Sequence, residues 1–167
     1  MLSAQQIIDK LELQPHPEGG YFKETYRSTG KIPQESLGDG YSGKRNFSTC
    51  IYFMLTSEKF SALHRIEQDE IWHFYYGAPI KLHIITNAGE YSTHMIGRNI
   101  ENGEVPQFVV PGNCWFAGEV IEKDSFSLIG CTVSPGFDFD DFELKSRKEL
   151  TALYPNLKKE IERLTHH

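Results

Sequence analysis

Two side chains that could carry chemistry, His64 and Glu70, lie in the stretch 61–77, whose other residues are typical of a buried β-strand. From Glu70 onward, alternation places Trp72 and Phe74 on the same strand face as the carboxylate. A buried charge is costly unless it is paired, hydrogen-bonded or bound to a cation. The sequence therefore predicts a partner for Glu70, and His64 is the nearest candidate.

Short runs of β-branched and aromatic residues, separated by turn signals, fill the middle of the chain. Such runs predict strands, which we place at 21–27, 47–55, 71–76, 80–86, 91–96, 108–110 and 125–133. Many short strands at this spacing are typical of a sandwich or barrel. The predicted fold class is therefore all-β.

Helical signals occur near the two ends of the chain. Ser3 with Gln6, and Ser146 with Glu149, form capping-box patterns ahead of apolar residues at helical spacing. Pro155 must break or restart the second helix. We predict one domain of 167 residues. It divides into a helix and lead-in (1–20), a β-rich body (21–144) and C-terminal helices (145–167).

Composition limits the partners and the compartment. The net charge is −6, and Lys and Arg are scattered, so we expect neither nucleic acid nor a membrane surface as a partner. The sequence shows no apolar run of about 20 residues and no signal-peptide pattern at its start, so we expect a cytoplasmic protein. Cys50, Cys114 and Cys131 are odd in number and lie in apolar surroundings, which favours small core residues over disulfides. His166 and His167 are interpreted as the remnant of an expression tag.

The segment around His64 also resembles a known motif. His64-Arg-Ile66, three residues, Glu70, six residues and Gly77 is similar to the first cupin motif, which runs His-x-His, three or four residues, Glu, six residues, Gly. Ile66 stands where the second histidine of that motif belongs.

A second segment resembles the other cupin motif. Val110-Pro-Gly-Asn-Cys-Trp-Phe116 is similar to Pro-x-Gly-x-x-His, with Asn113 in place of the glycine and Phe116 in place of the histidine. Two of the four usual metal ligands of a cupin are therefore absent.

Three further segments, 16–22, 69–73 and 130–144, resemble one branch of the cupins, the fifth cupin family. This is a group of small cupins without an assigned activity, and the resemblance spans roughly positions 5 to 145. It implies a double-stranded β-helix, the cupin jelly roll, which is commonly dimeric and has a pocket between its two sheets.

The resemblance implies a metal site of three imidazoles and one carboxylate, donors that suit manganese, iron, nickel or zinc. Only His64 and Glu70 remain of that set. A divalent metal is therefore a candidate cofactor only if His73, His83, His94 or water molecules complete the coordination. The alternative is a buried hydrogen-bonded pair of His64 and Glu70 that orients loops or contacts a ligand.

Aromatic side chains are the second set of candidates, because small-molecule sites combine apolar walls with few polar groups. The ligand-binding candidates are Tyr52, Trp72, Trp115 and Phe116 on the predicted walls, with His16 and Glu18 at the mouth of the pocket. The alternative is that the aromatic residues fill the core and that His16 and Glu18 only shape a turn.

Two hypotheses about function remain open. The first is a binding module for a small polar or ring-containing metabolite, sugar-like or nucleotide-like, held by His64, Glu70 and the aromatic wall. The second is an enzyme, either a metal-dependent oxygenase or isomerase, or a metal-free sugar epimerase. In the epimerase His64 is the general base and Glu70 orients it. That role requires the two side chains to meet.

The resemblance also favours a homodimer. On the strand that starts near Glu70, Ile71 and Tyr75 point away from the pocket face and form an apolar patch that a partner sheet could cover. The alternative is that the terminal helices cover this patch.

Overall fold

The computed structural model describes residues 2–166 and consists mainly of antiparallel strands. His167, one of the two residues interpreted as a tag remnant, lies outside the described residues. The strands are β1 (Gln14–Pro15), β2 (Tyr21–Arg27), β3 (Lys31–Ile32), β4 (Arg45–Asn46), β5 (Thr49–Thr56), β6 (Ser61–Arg65), β7 (Asp69–Gly77), β8 (Ile80–Ile85), β9 (Tyr91–Ile96), β10 (Gln107–Val110), β11 (Trp115–Val120), β12 (Phe126–Ser134) and β13 (Glu143–Leu144). The α-helices are α1 (Ala4–Leu11), α2 (Arg147–Leu153) and α3 (Lys158–Arg163).

The strands form two main sheets with a core between them. One sheet has the order β1-β2-β5-β12-β7-β10, and the other has the order β13-β6-β11-β8-β9. Side chains from both sheets meet in one cluster that includes Phe53, Trp72, Phe116 and Ile129. This arrangement confirms the predicted all-β jelly roll. The strand prediction for 21–27 matches β2 residue for residue.

Of the strands longer than two residues, β6 and β11 are missing from the strands placed from the sequence, although the residues of 61–77 are typical of a buried strand. Both are buried along nearly their whole length, because the core covers one face and the C-terminal helices cover the other. A strand buried on both faces loses the alternation of apolar and polar residues that identifies a half-exposed strand. These two strands carry His64 and Phe116, which are directly opposite each other in the sheet.

Both predicted capping boxes are present. Ser3 accepts a hydrogen bond from the backbone N–H of Gln6, and Ser146 accepts one from that of Glu149. A single 3₁₀ turn that begins at Pro155 separates α2 from α3, as the sequence predicts.

The helices pack on the outer faces of the sheets. The α1 residue Ile7 packs with Met54 and Leu128, while Leu150 and Ile161 of the C-terminal helices pack with other buried residues of the second sheet. Within residues 2–166, no helix has the length and apolar character needed to cross a membrane.

Candidate functional site

A narrow cavity lies inside the jelly roll, between the two sheets. The cavity has a volume of about 50 Å³, and about 500 Å³ in and around it is not filled by atoms. The polar lining consists of His16, Glu18, Thr49, His64, Glu70 and Cys131. The apolar lining consists of Phe22, Ile51, Phe53, Ile66, Val133, Phe137 and Phe142. The cavity therefore combines an aromatic and aliphatic wall with a small set of ionisable groups.

Glu18 reaches the cavity from the turn that leads into β2. Two residues with left-handed backbone, Gly19 (φ 113°) and Gly20 (φ 75°), follow it. A Cβ on Gly19 would lie 2.1 Å from the carbonyl oxygen of Phe60, so this close approach requires glycine. The backbone carbonyl of Glu18 accepts a hydrogen bond from the N–H of Ala62 at 2.8 Å. The turn is thereby fixed against the start of β6.

His64 forms an ion pair with Glu18 in the cavity wall. Its Nε2 lies 2.9 Å from Glu18 Oε2, and its Nδ1 lies 2.7 Å from the carbonyl oxygen of Ala62. A carbonyl oxygen can only accept, and the Glu18 carboxylate accepts a further hydrogen bond from the Ser61 hydroxyl at 2.9 Å. Both imidazole nitrogens therefore act as donors, which defines His64 as an imidazolium.

Burial and charge compete in this pair. Burial lowers the pKa of His64, but the charge and hydrogen bond of Glu18 outweigh burial, so the pKa is raised above its usual value. Burial raises the pKa of Glu18, but the charges and hydrogen bonds of His64 and its other neighbours outweigh it, so the pKa is lowered. Each partner thus keeps the other charged in a place where a lone charge would be costly.

Glu70 is the second carboxyl group of the cavity. Its Oε1 accepts a hydrogen bond from Trp72 Nε1 at 2.8 Å. Burial is the largest influence on its pKa, and nearby Glu18 adds to it, so the pKa of Glu70 is raised despite the opposing charge of His64. The thiol of Cys131 lies beside this carboxyl group, and burial together with Glu70 raises the pKa of that thiol well above its usual range.

His16 lies among phenylalanine rings at the cavity wall. Its ring centroid is 4.7 Å from that of Phe22 and 5.8 Å from that of Phe53, both edge-to-face. Its Nδ1 accepts a hydrogen bond from the Glu18 N–H at 3.3 Å, which leaves that nitrogen without a proton. Burial lowers the pKa of His16, and the ring is therefore the neutral Nε2–H tautomer.

The predicted pairing of His64 with Glu70 is wrong. Both side chains line the cavity, but His64 donates to Glu18 and to a backbone carbonyl, while Glu70 accepts from Trp72. The turn at Gly19 and Gly20 brings Glu18 to His64 from a distant part of the sequence, and local spacing cannot reveal that contact.

None of the four aromatic residues predicted to bind ligand lines the cavity, and two of them point away from it. On β5, Ile51 and Phe53 line the cavity, so Tyr52 between them points to the outer face, where its ring meets that of Tyr75. Trp115 packs outside the second sheet, and Arg65 lies over its indole ring. Both errors arise because adjacent residues of a strand face opposite sides.

Trp72 and Phe116 belong to the inner core and lie behind the cavity wall, which is the core-filling alternative and not the predicted contact with the pocket. Trp72 acts through its indole hydrogen bond to Glu70. The ring of Phe116 lies 4.0 Å from the His64 ring, centroid to centroid, and both aromatic residues are almost completely buried. The placement of His16 and Glu18 on the cavity wall agrees with the sequence prediction, and their contact with a ligand stays a prediction.

Several lining residues were missed by the sequence analysis. Phe137 and Phe142 close one side of the cavity, and the hydrogen bonds between the Arg45 guanidinium and Asp141, at 2.6 and 2.7 Å, hold their segment against the β4 region. The run of phenylalanine and aspartate residues at 137–142 was a usable signal, because so many aromatic residues are unusual in an exposed loop.

The ligand set does not fit the metal of a four-ligand cupin site. Ile66 and Phe116 are apolar residues at the two positions where the cupin motifs have histidine ligands. His64, the histidine that remains, is already paired with Glu18. None of the proposed recruits, His73, His83 and His94, lines the cavity. Within residues 2–166, no group of three or more His, Cys, Asp or Glu side chains is arranged to hold a metal ion.

The two packed sheets and their strand order define a cupin-type jelly roll. Comparisons with known proteins agree. Residues 5–145 match the family described as the cupin superfamily, DUF985. The chain is 36% identical over 160 residues to the uncharacterized protein YML079W of Saccharomyces cerevisiae, with 90% of this chain and 80% of that protein covered. The chain belongs to this DUF985 family of the cupin superfamily.

Two solved structures share nearly the whole fold. A hypothetical protein from Leishmania major superposes with a TM-score of 0.90 at 34% identity, covering 99% of this chain and all of that one. Protein SO0799 from Shewanella oneidensis superposes with a TM-score of 0.87 at 39% identity, covering 99% of each chain. The similarity thus extends beyond the barrel to the terminal helices.

Proposed function

We propose that the protein binds a small polar or ring-containing metabolite in the cavity between its sheets. The observation that carries the proposal is the lining itself. Phenylalanine and aliphatic side chains surround ionisable groups that are fixed by hydrogen bonds, among them His64, Glu18 and Glu70. Such a lining combines apolar contact area with a few oriented polar groups, as ligand sites do.

The size of the cavity narrows the choice of ligand. Pockets for drug-sized ligands measure about 300–1,000 Å³, whereas this cavity measures about 50 Å³. A compact polar molecule, a small sugar or a single ring suits this space better than a nucleotide does. A nucleotide would require the segment that carries Phe137 and Phe142 to move outward.

The enzymatic alternatives are less well supported. Both nitrogens of His64 face acceptors, so a substrate would have to displace Glu18 before His64 could accept a proton as a general base. A metal-dependent oxygenase or isomerase would need ligands beyond His64 and Glu70. Titration of the purified protein with manganese, iron, nickel and zinc, followed by calorimetry, tests the second alternative directly.

A thermal-shift screen of small polyols, sugars, amides and single-ring compounds tests the binding proposal. A ligand at one hundred times its Kd stabilises the native state by about 2.7 kcal/mol. Ile51→Phe should narrow the cavity and abolish the shift. Tyr52→Phe is the matched control, because Tyr52 lies next to Ile51 on β5 but points outward. Equal shifts in both variants would place binding outside the cavity.

We also propose that the protein forms a homodimer through the outer face of the six-stranded sheet. One cross-strand row on this face contains Tyr26, Cys50, Thr132, Ile71 and Val109. Tyr26 and Val109 are 55% and 45% exposed, and exposed apolar patches of this kind are typical of interaction sites.

Sedimentation of the purified protein tests the dimer. Val109→Glu should shift the mass toward the monomer, because the added charge would be buried at the interface. Ile121→Glu, at an exposed residue outside the strands, should leave the mass unchanged. A wild-type protein that sediments as a monomer would rule out this interface.

A further inference from the structure

His16 belongs to a tight turn at the cavity wall. Its backbone N–H donates to the carbonyl oxygen of Gly20 at 3.0 Å, and its own carbonyl oxygen accepts from the N–H of Gly19 at 3.0 Å. The side chain adds a third bond to the same turn, because Nδ1 accepts from the backbone N–H of Glu18 at 3.3 Å. Backbone and side chain together therefore hold the imidazole ring in one orientation beside the cavity.

The same contacts place the proton of this ring. A nitrogen that accepts a hydrogen bond carries no proton of its own. The carboxylate oxygen of Glu18 that lies nearest to Nδ1 is 3.6 Å away, which is too far for it to accept a hydrogen bond from that nitrogen. The ring of His16 therefore carries its proton on Nε2.

This Nε2–H group has no hydrogen-bond partner within residues 2–166, although the side chain of His16 is only 8% exposed. A ligand can still reach the nitrogen, because it is not one of the completely buried polar atoms without a partner. Those atoms are Gln68 Oε1, Trp115 Nε1 and Ser127 Oγ. His16 thus offers an unused hydrogen-bond donor at the wall of the cavity.

The other imidazole of the cavity is fully engaged. His64 donates through Nε2 to Glu18 and through Nδ1 to the carbonyl oxygen of Ala62. None of the described lining residues is Lys or Arg, and the hydroxyl of Ser61 beside the wall donates to Glu18. Of the imidazole N–H groups in the described cavity wall, a ligand can therefore accept from His16 Nε2–H without breaking a hydrogen bond of the protein.

The surroundings of this donor are apolar. The centroid of the imidazole lies 6.1 Å from that of Phe142 and 6.2 Å from that of Phe139, beyond the closer rings of Phe22 and Phe53. A hydroxyl group placed here would bring a proton that finds no acceptor among these rings, and an unpaired buried donor is costly. A carbonyl oxygen accepts a hydrogen bond and brings no proton.

We infer that His16 binds the ligand of this cavity and that its Nε2–H donates to a carbonyl oxygen of a compact, largely apolar molecule. This inference rests on the proposed function and narrows its ligand to small ketones, aldehydes, esters and lactones. The size of the cavity agrees with such ligands. A water-sized group needs about 10–15 Å³, so the volume of about 50 Å³ holds roughly three to five such groups.

Probes of matched shape, with and without the carbonyl oxygen, test this inference. Acetone is paired with isobutene, and cyclobutanone with methylenecyclobutane, in which a CH₂ group replaces the oxygen. Dissociation constants are measured by ligand-observed NMR for the full chain and for its variants. The measured quantity is the ratio of the alkene Kd to the ketone Kd. Transfer of each probe out of water is the same for every variant, so it cancels when these ratios are compared.

Two substitutions separate the roles of the two ring nitrogens. His16→Asn keeps an oxygen that can accept from the Glu18 N–H, as in an Asx turn, but has no donor at the position of Nε2. His16→Gln is long enough to place an amide N–H there. The ratio should fall by about tenfold in His16→Asn, because the net contribution of one hydrogen bond is lost. It should stay within about threefold of the wild-type ratio in His16→Gln.

A measurement on the wild type does not depend on the stability of the variants. In protein made with nitrogen-labelled histidine, the ring signals of His16 are those absent from His16→Gln. They should show the proton on Nε2, and cyclobutanone at saturation should shift this proton downfield while methylenecyclobutane does not. A proton on Nδ1, or equal shifts with the two probes, would overturn the inference.

Two neighbouring residues of β5 separate this inference from the proposed function. Ketone binding should be lost in Ile51→Phe and kept in Tyr52→Phe. If binding is lost in Ile51→Phe but the ratio is unchanged in His16→Asn, the role of His16 is overturned and the binding function stands. If neither ketone binds in the cavity, the inference is also overturned, and the metabolite screen alone decides whether the proposed function stands.

Discussion

Within residues 2–166, two buried histidines each face a carboxylate, and the two pairs differ in what surrounds them. Inside the cavity, His64 Nε2 lies 2.9 Å from Glu18. Outside the second sheet, His83 Nε2 lies 3.0 Å from Glu119. The two nitrogen–oxygen distances are nearly equal. The two pairs therefore differ in the other groups that contact each histidine and each carboxylate.

The outer pair connects the C-terminal helix to the sheet. Nδ1 of His83 lies 2.7 Å from the hydroxyl of Tyr91, which can donate or accept, and Arg163 of α3 forms a second ion pair with Glu119. The hydrogen bond from His83 is the largest influence on Glu119 and, with Arg163, lowers its pKa to about 2. This pair is therefore joined through Glu119 to Arg163 of α3, whose side chain is partly exposed to solvent.

The inner pair has no such additional cation and lies in the wall of a cavity. The same imidazole–carboxylate contact thus joins a helix to the sheet in one place and lines a cavity in the other. The inner pair is distinguished from the outer pair by its deeper burial, by the nearby carboxyl group of Glu70 and by the cavity beside it.

Loss of the carboxylate charge should affect the inner pair more than the outer one. Glu18→Gln should lower the free energy of unfolding by about 3 kcal/mol, because it leaves a buried imidazolium uncompensated. Glu119→Gln should cost about 1 kcal/mol, because its surroundings are partly exposed and screened. Urea denaturation measures both. Equal losses would show that the two sites do not differ in electrostatic isolation.

The contributions of the two pairs to the free energy of unfolding should be lost at opposite ends of the pH range. The folded pKa of His64 is raised, so its stabilising contribution is complete below about 6.5 and is lost as the pH rises through the folded pKa. The folded pKa of Glu119 is about 2. Its contribution, about 1 kcal/mol after screening, is present above about 4.5 and is lost as the pH falls toward 2.

Unfolding free energies between pH 2 and pH 9 test these signs. The difference between wild type and His64→Gln should shrink on the alkaline side, and the difference between wild type and Glu119→Gln should shrink on the acid side. Shrinkage of both differences on the same side would contradict the assigned charge states.

Removal of a single hydroxyl group gives a finer comparison. Ser61→Ala removes the donor to Glu18 at a completely buried site and should cost about 1.5–3 kcal/mol, because the bond is made to a charged group. Tyr91→Phe removes the hydroxyl beside His83 and should cost about 1 kcal/mol or less. Chemical denaturation checks both values, and a reversed order would argue against a charged inner pair.

The smallest loss of stability is expected for Arg163, the partly exposed residue that pairs with Glu119. The Arg163 side chain is 48% exposed, so Arg163→Gln should cost about 0.5 kcal/mol, and 1 M salt should remove most of the difference from wild type. Hydrogen exchange should show faster opening of α3 without change in β6. Salt sensitivity of the difference between wild type and Glu18→Gln would contradict the assigned burial of the inner pair.

The sequence carried enough information for the fold because the relevant signals are local. A run of β-branched and aromatic residues predicted β2, the capping boxes predicted the start of α1 and of α2, and Pro155 marked the break between α2 and α3. The cupin-like motifs around His64 and Phe116 located the pocket. Among the strands longer than two residues, β6 and β11 were missed, because both of their faces are buried and they lack alternation.

Only the tertiary structure decided which side chains meet. The sequence identified His64, Glu70, Glu18 and His16 as candidates, and spacing favoured a pair between the first two. In the structure, His64 pairs with Glu18, and Trp72 donates a hydrogen bond to Glu70. Tyr52 and Trp115 point away from the cavity. Residue types and local periodicity follow from the sequence. Contacts across the barrel depend on strand register and on the path of the Gly19–Gly20 turn, which local patterns do not encode.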